Sequence, residues 1–259
     1  MIEKSNFFAI LDAVFAENGL AKVLTETTRE KFYDLTDIML TAGEHMNITA
    51  IKDVREIILR HYADSLMLLS AGIDKKSVVI DVGCGGGFPC LPLAVVRKDL
   101  KITGIDSTGK KVDYVNETAR RLNLDNLRAY PARAEEICLP QPRKEKGMCG
   151  TIFSLRETAD VVTARAVAAL PVLSELCLPF ASVGGKFIAM KSKNADEELI
   201  ASLSAIEKLG GRIEDVKEIT LKGSDTDGDM GRTLIIISKI SPTPEKYPRQ
   251  YSQIKKKPL

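Results

Sequence analysis

The chain has 259 residues, 44% hydrophobic and 28% charged, a balance that suits a soluble globular protein of one large domain or a domain with an appendage. No apolar run approaches the roughly 18 residues a membrane helix needs, and the N-terminus lacks the basic and apolar regions of a secretion signal. Five cysteines (Cys84, Cys90, Cys138, Cys149, Cys177) without CxxC spacing, and only His45 and His61 besides, argue against a metal site and for reduced thiols in the cytosol.

Along the chain, Phe7, Phe8, Leu11, Val14 and Phe15 recur at helical spacing, and Asn18-Gly19 supplies a stop. A second amphipathic stretch carries Phe32, Leu35, Met39 and Ala42. A third begins at Asp53, with Glu56 placed as in a capping box, and runs through His61, Tyr62 and Leu66 to Gly72. Residues 1–72 therefore read as a helical extension. Three short helices bury too little surface alone, so they are expected to pack on the remainder of the chain.

From residue 73 the texture changes to alternation. Strand-like runs fall at 77–82, 101–106, 127–131, 160–164, 185–190, 212–221 and 232–240, with helical stretches near 90–97, 109–123, 168–178 and 195–209. Such alternation predicts an α/β domain over 73–240, built on a mostly parallel sheet covered on both faces. The last two runs have no helix between them, which makes them an antiparallel hairpin. Residues 140–158, with Arg143-Lys144-Glu145-Lys146-Gly147, read as a surface loop. Asp225, Asp227 and Asp229 mimic half a calcium loop, but Met230 and Ile236 stand where glycine and glutamate are required, so a hairpin turn is preferred.

The tail, 241–259, contains Pro242, Pro244, Pro248 and Pro258 and is expected to be extended, without helix or sheet. Residues 239–259 hold six basic side chains against Glu245 alone, leaving 31 basic against 34 acidic elsewhere. That cationic end suits either a polyanion such as nucleic acid or a plain solvated terminus.

The most informative stretch is Val78-Val79-Ile80-Asp81-Val82-Gly83-Cys84-Gly85-Gly86-Gly87-Phe88. A β-branched strand breaks into glycines whose backbone N–H groups are expected to stay open to a ligand. A nicotinamide fingerprint from Gly83 would need glycine where Phe88 stands. A phosphate loop from Gly104 to Lys111 fails at Lys111, which cannot ligate magnesium. The pattern D-x-G-x-G-x-G is met in full by Asp81, Gly83, Gly85 and Gly87, and its logic suits S-adenosylmethionine. The glycines let backbone approach the aminocarboxypropyl group, and Asp81 either orders the loop or meets the ammonium. Asp106, closing the second strand, is placed to accept the ribose hydroxyls, and Ala134-Glu135, after the third, to meet the adenine. Arg165, at the C-terminal end of the fourth strand, faces the edge where ligands collect. His61 beside Asp64 and Ser65 suggests a triad, but without a nucleophile elbow a hydrogen-bonded structural histidine is preferred.

These residues carry a family resemblance. Asn47-Ile48-Thr49-Ala50-Ile51, His61 through Leu66, Asp81 through Pro89, Asp106-Ser107, Lys110-Lys111, Arg133-Ala134-Glu135, Thr163-Ala164-Arg165-Ala166 and Tyr247-Pro248-Arg249 resemble the ribosomal RNA small subunit methyltransferase G (glucose-inhibited division protein B) family. Cys90, where the family usually has glycine, and His45-Met46, in place of a tryptophan-containing approach, are departures. The resemblance implies a Rossmann-like class I S-adenosylmethionine-dependent methyltransferase fold, with a seven-stranded sheet, a terminal antiparallel hairpin and an N-terminal helical extension. It also implies a cytoplasmic monomer that methylates N7 of one guanine in 16S ribosomal RNA, free or in the small ribosomal subunit. The cofactor positions it carries over are Gly83, Phe88, Ala134-Glu135 and Arg165, with Asp106 for the ribose. N7 has an in-plane lone pair and no proton to lose, so no catalytic base is assigned. A non-catalytic RNA-binding factor and a methyltransferase with another acceptor are the alternatives.

Overall fold

A computed structural model describes residues 2–43, 46, 48–140, 154–193, 195–223 and 228–259. Asn47 and His45, most of the 140–158 loop with Cys149, and Asp225 and Asp227 lie outside those residues.

The helical extension comprises α1 (Lys4–Glu17) and α2 (Glu26–Gly43), then a continuous helical run of α3 (Val54–Ile57), a π-type turn (Ile58–Ala63), α4 (Asp64–Leu66) and a 3-10 turn (Met67–Ala71). Asp53 caps α3 by accepting from the Glu56 N–H at 2.9 Å. Gly72 ends the run with φ of +68°, a left-handed exit that glycine adopts without penalty. Next come β1 (Val78–Val82), α5 (Cys90–Val96), β2 (Lys101–Asp106), α6 (Gly109–Arg121), β3 (Leu127–Pro131) and α7 (Ala134–Ile137). The chain continues with β4 (Ala159–Arg165), α8 (Leu170–Cys177), β5 (Ala181–Ser192), α9 (Asp196–Lys208), β6 (Gly211–Leu221), β7 (Met230–Lys239) and α10 (Tyr251–Lys256). Gly104 lies inside β2, so the near-miss phosphate loop does not exist as a loop.

The sheet order is β3-β2-β1-β4-β5-β7-β6. Strands β1 to β5 pair in parallel, while β7 runs antiparallel to both β5 and β6, as the helix-free connection dictates. Alternation along each strand sorts side chains between two cores. Val79, Ile102, Val161, Ile188 and Ile236 face the helical extension, α5 and α6. Ile80, Ile105, Val162, Phe187 and Ile235 face α8, α9 and α10. The first core is continuous from Phe7, Leu11, Phe32 and Tyr62 to the sheet, so the N-terminal helices hide their apolar faces against it, as expected. The outermost strand β6 shows Arg212, Glu214, Asp215, Lys217 and Glu218 along its length, charges that oppose edge-to-edge pairing.

The tail departs from expectation. Pro248 is the last proline before 258, and the proline-free stretch between them forms α10, with Ile254 fully buried against α8. Three charged anchors hold the segment down. Glu175, on α8, is 0% exposed, and Arg249 meets it with its backbone N–H at 2.8 Å and its guanidinium Nη2 at 2.6 Å. Arg156 donates to the carbonyls of Thr243 and Tyr247 at 2.5 and 2.7 Å. Lys239, 1% exposed, bonds the carbonyls of Leu178 and Leu209 and the Thr243 hydroxyl, and burial lowers its ammonium pKa to about 8. Two of the six basic groups at this end thus serve the fold, which weakens the reading of a free cationic tail.

Removing one partner of a buried pair strands the other charge. Arg249→Met should therefore lower unfolding free energy by about 3–5 kcal/mol, read from urea denaturation. A midpoint like the wild type's would show that Glu175 does not depend on the tail.

Candidate functional site

The C-terminal ends of β1, β2, β3 and β4 open onto one cavity of about 490 Å³. It lies where the chain leaves β1 toward one face of the sheet and β4 toward the other, the position at which open parallel sheets bind ligands. Gly83, Gly85, Phe88, Asp106, Ala134, Glu135 and Arg165 all line it. Asp81 and Gly87 do not. Gly87 serves packing, since a Cβ there would come within 2.2 Å of Leu91 Cδ1.

The glycine loop is tied down by its own backbone. The N–H groups of Gly83 and Cys84 donate to the Ile105 carbonyl at 2.7 and 3.0 Å, and those of Gly87 and Phe88 to the Cys84 carbonyl at 2.8 and 3.2 Å. Gly85 N–H donates to Asp106 Oδ2 at 2.9 Å. Among residues 83–88 only Gly86 N–H has no partner among the described residues, so the loop does not offer the row of open donors expected of it. The glycines are needed instead for shape: Gly83, Gly85 and Gly87 have φ of +71°, +53° and +91°.

Asp106 also accepts from Thr108 N–H at 2.8 Å. Each of its oxygens thus holds one backbone donor and keeps a further lone pair for a ligand. Asp81 is 1% exposed and accepts from Cys90 N–H through Oδ2 at 3.2 Å, while Oδ1 is buried without a partner among the described residues. It orders the start of α5 from behind the loop. Burial disfavours its anion and raises its pKa to about 7.

Phe88 stacks on His61, with ring centroids 4.6 Å apart and planes 17° from parallel, and the Arg165 guanidinium lies 5.6 Å from the Phe88 centroid. His61 Nε2 pairs with the Thr49 hydroxyl at 2.8 Å. Burial, then the charges of Arg165 and Arg60, lower its pKa to about 4, which leaves the ring neutral near pH 7. No triad forms: Ser65 donates to the His61 carbonyl, and Asp64 faces arginines. Arg165 donates to the Arg60 carbonyl at 3.0 Å and to Asp64 Oδ2 at 3.1 Å, and Arg232 reaches Asp64 Oδ1 at 2.8 Å. Burial lowers the Arg165 pKa from its ordinary value, against the pull of Asp64.

A second cavity, about 380 Å³, shares His61, Arg165 and Ala166 with the first and adds Arg60, Asp64, Lys191, Ser192 and Arg232. It also includes Met190, and it carries Arg60, Arg165, Lys191 and Arg232 against Asp64 alone, whereas the first balances Lys111, Arg133 and Arg165 with Asp106 and Glu135. Sequence reasoning missed Arg60, Lys191 and Arg232, which come from three distant segments, and Tyr251, which reaches the first cavity from the tail. The sole sequence signal for Arg232 is its place at the start of the strand paired antiparallel to β5.

A family model described as rRNA small subunit methyltransferase G matches residues 28–225. A relative from Acetivibrio thermocellus, named ribosomal RNA small subunit methyltransferase G, is 42% identical over 242 residues, 93% of either chain. The chain belongs to the rRNA small subunit methyltransferase G family. Its fold is that of S-adenosylmethionine-dependent methyltransferases, as expected from the resemblance. Among solved structures, a Pyrococcus horikoshii protein shares 15% identity with a TM-score of 0.51, covering 69% of this chain and 63% of that one. The cyclase SpnF shares 20% identity with a TM-score of 0.50, covering 82% and 94%. These last two likenesses are of fold alone.

The raised Asp81 pKa has a consequence for stability. Folded Asp81 keeps its proton up to about pH 7, whereas the unfolded carboxyl releases it near 3.8. Over that window the folded state binds more protons, so this group makes stability fall as pH rises. Asp81→Asn keeps the acceptor for Cys90 N–H and should remove the fall, so that the variant gains on the wild type between pH 4 and 7. Parallel denaturation profiles across that range would refute the assignment.

Proposed function

We propose that the chain transfers the methyl group of S-adenosylmethionine to N7 of one guanine in 16S ribosomal RNA. Family membership supports the reaction class, and the observation that carries the assignment here is the wall shared by the two cavities. One side suits a nucleoside, and the other suits a phosphate backbone. The domain at 73–240 holds both, with the helical extension 1–72 and the tail 241–259 contributing His61, Asp64 and Tyr251 to their walls.

The first cavity fits the cofactor on its own chemistry. Its volume lies in the range of small-ligand sites. Asp106 retains acceptor capacity for ribose hydroxyls, and the N–H groups of Ala134 and Glu135 have no protein acceptor among the described residues. Bound there, S-adenosylmethionine supplies a methyl group on a sulfonium centre. Phe88, stacked on His61 and close to Arg165, sets the boundary between cofactor and acceptor. Arg60, Lys191 and Arg232, paired with Glu56, Glu198 and Asp64 in turn, are the groups that would exchange those partners for RNA phosphates. Asp64 fixes two arginines through one carboxylate, which keeps them extended before the substrate arrives. None of these groups has to take a proton from guanine N7, so positioning and fixed charge suffice. Action as a cytoplasmic monomer, on the RNA or on the small ribosomal subunit, belongs to the same proposal.

The deciding experiment gives the protein labelled S-adenosylmethionine together with undermethylated small subunits or their RNA. Label at N7 of a single guanine is expected, and binding of RNA without transfer would replace the proposal with a non-catalytic factor. Asp106→Ala should weaken S-adenosylmethionine binding by roughly ten- to hundredfold in calorimetry, from the loss of charge-assisted hydrogen bonds. Unchanged binding in the folded variant would remove the ribose assignment.

A further inference from the structure

The first cavity has one wall that the methyltransferase sheet does not supply. Tyr251 lines it, together with Ala132, Ala134 and Leu176, yet belongs to the tail, beyond residues 28–225 that match the family model. Its position is set with unusual care for a terminal segment. Upstream, Arg249 clasps the buried Glu175 and donates from Nη2 to the Lys257 carbonyl at 3.1 Å, closing the ends of α10 on each other. Downstream, Ile254 is fully buried against the same helix α8 that carries Glu175 and Leu176. Ile137 of α7, the turn holding Ala134 and Glu135, packs into that same core. Both short helices thus rest on α8, and both the Ala134-Glu135 turn and Tyr251 line the cavity.

Tyr251 itself is not consumed by this docking. It is 37% exposed, one of few large apolar side chains so open, and its ring stacks on no other aromatic ring among the described residues. A flat, preplaced ring with a free face recognises another flat ring. Of the parts of an adenosine-based cofactor only the purine is flat. The ribose calls for acceptors such as Asp106, and the aminocarboxypropyl end for charge.

We propose that Tyr251 is a cofactor-binding residue that contacts the adenine of S-adenosylmethionine, and that the C-terminal segment exists in its ordered form to place it there. This rests on the cofactor reading of the cavity. It also gives Tyr247-Pro248-Arg249 a role: the motif docks the segment rather than touching ligand, since Arg249 is spent on Glu175 and the Tyr247 carbonyl on Arg156.

Calorimetry with S-adenosylhomocysteine on the full-length protein tests the proposal without reference to turnover. Tyr251→Ala should raise Kd about tenfold, and Tyr251→Phe should stay within about twofold of the wild type, because the ring and not the hydroxyl makes the contact. Melting curves without ligand should overlay, as Arg249 and Ile254 are untouched. Should Tyr251→Ala fail to fold, Tyr251→Leu against Tyr251→Phe decides: weakened binding in the leucine variant alone supports the contact, and equal binding in both overturns it. Asp106→Ala separates the two levels of argument. If it loses affinity while Tyr251→Ala binds like the wild type, the tail contact is wrong and the cofactor site stands. If neither variant changes Kd, the cofactor site itself is misplaced.

Discussion

Strands β1 and β4 lie side by side and parallel, but the chain leaves them in opposite directions. After β1 it turns into α5, on the face covered by the helical extension; after β4 it turns into α8, on the other face. Two loops diverging from adjacent strand ends cannot fill the space between them, and a crevice results. Everything functional depends on that constraint. The glycines let the first loop turn back over β2 at once, with Gly83 and Cys84 both bonded to the Ile105 carbonyl. The second loop begins with Arg165 and Ala166, the latter at a φ of +56°, unusual for a residue with a side chain, and Val167 packs where a Cβ on Gly83 would sit, 2.6 Å from its Cγ2.

The buried carboxylates Asp81, Asp64 and Glu175 are each held by a different device. Asp81 avoids the cost of an isolated anion by holding a proton up to about pH 7. Across the ladder, Thr163 carries a hydroxyl that is also buried without a partner among the described residues. Asp64 avoids the cost by binding two guanidinium groups, and Glu175 by binding one with two donors. The ion pairs of Asp64 and Glu175 fix geometry.

Strands and the long helices are legible in the sequence because their signals are local. Val79-Ile80, Val161-Val162 and Ile235-Ile236-Ile237 alternate between two apolar faces, so continuous apolar runs mark strands buried on both sides. Gly83, Gly85, Asp106, Ala134, Glu135 and Arg165 line the cavity and are marked by spacing along the chain, each at or shortly after the end of a parallel strand, whereas Phe88 is marked as a cofactor position by the family resemblance alone. Spacing cannot distinguish a glycine that faces ligand from one that faces Leu91, so it groups Gly87 and Asp81 with residues they stand behind. Nor does it show that the loop's donors are already spent within the loop. The tail defeats a proline count taken over the whole segment, because Ile254 needs only the proline-free stretch after Pro248 to bury itself. Arg60, Lys191, Arg232 and Tyr251 join the cavities through tertiary packing alone, which no periodicity encodes.

Methyl transfer to guanine N7, as proposed, calls for no proton-abstracting side chain. A proton-abstracting site leaves a titratable group of matched pKa within reach of its substrate. His61 is the one imidazole on these walls among the described residues, and its pKa near 4, its Thr49 hydrogen bond and its stacking on Phe88 all suit a neutral platform better than a base. Transfer to a nitrogen lone pair needs no base and demands alignment instead. A protein named a cyclase has a similar fold, so the fold alone does not fix a reaction. The second cavity adds Arg60, Lys191 and Arg232, has Arg165 and Arg232 held by Asp64, and shares His61, Arg165 and Ala166 with the first. On the proposed reading, an acceptor in the second cavity is aligned across that shared wall rather than deprotonated.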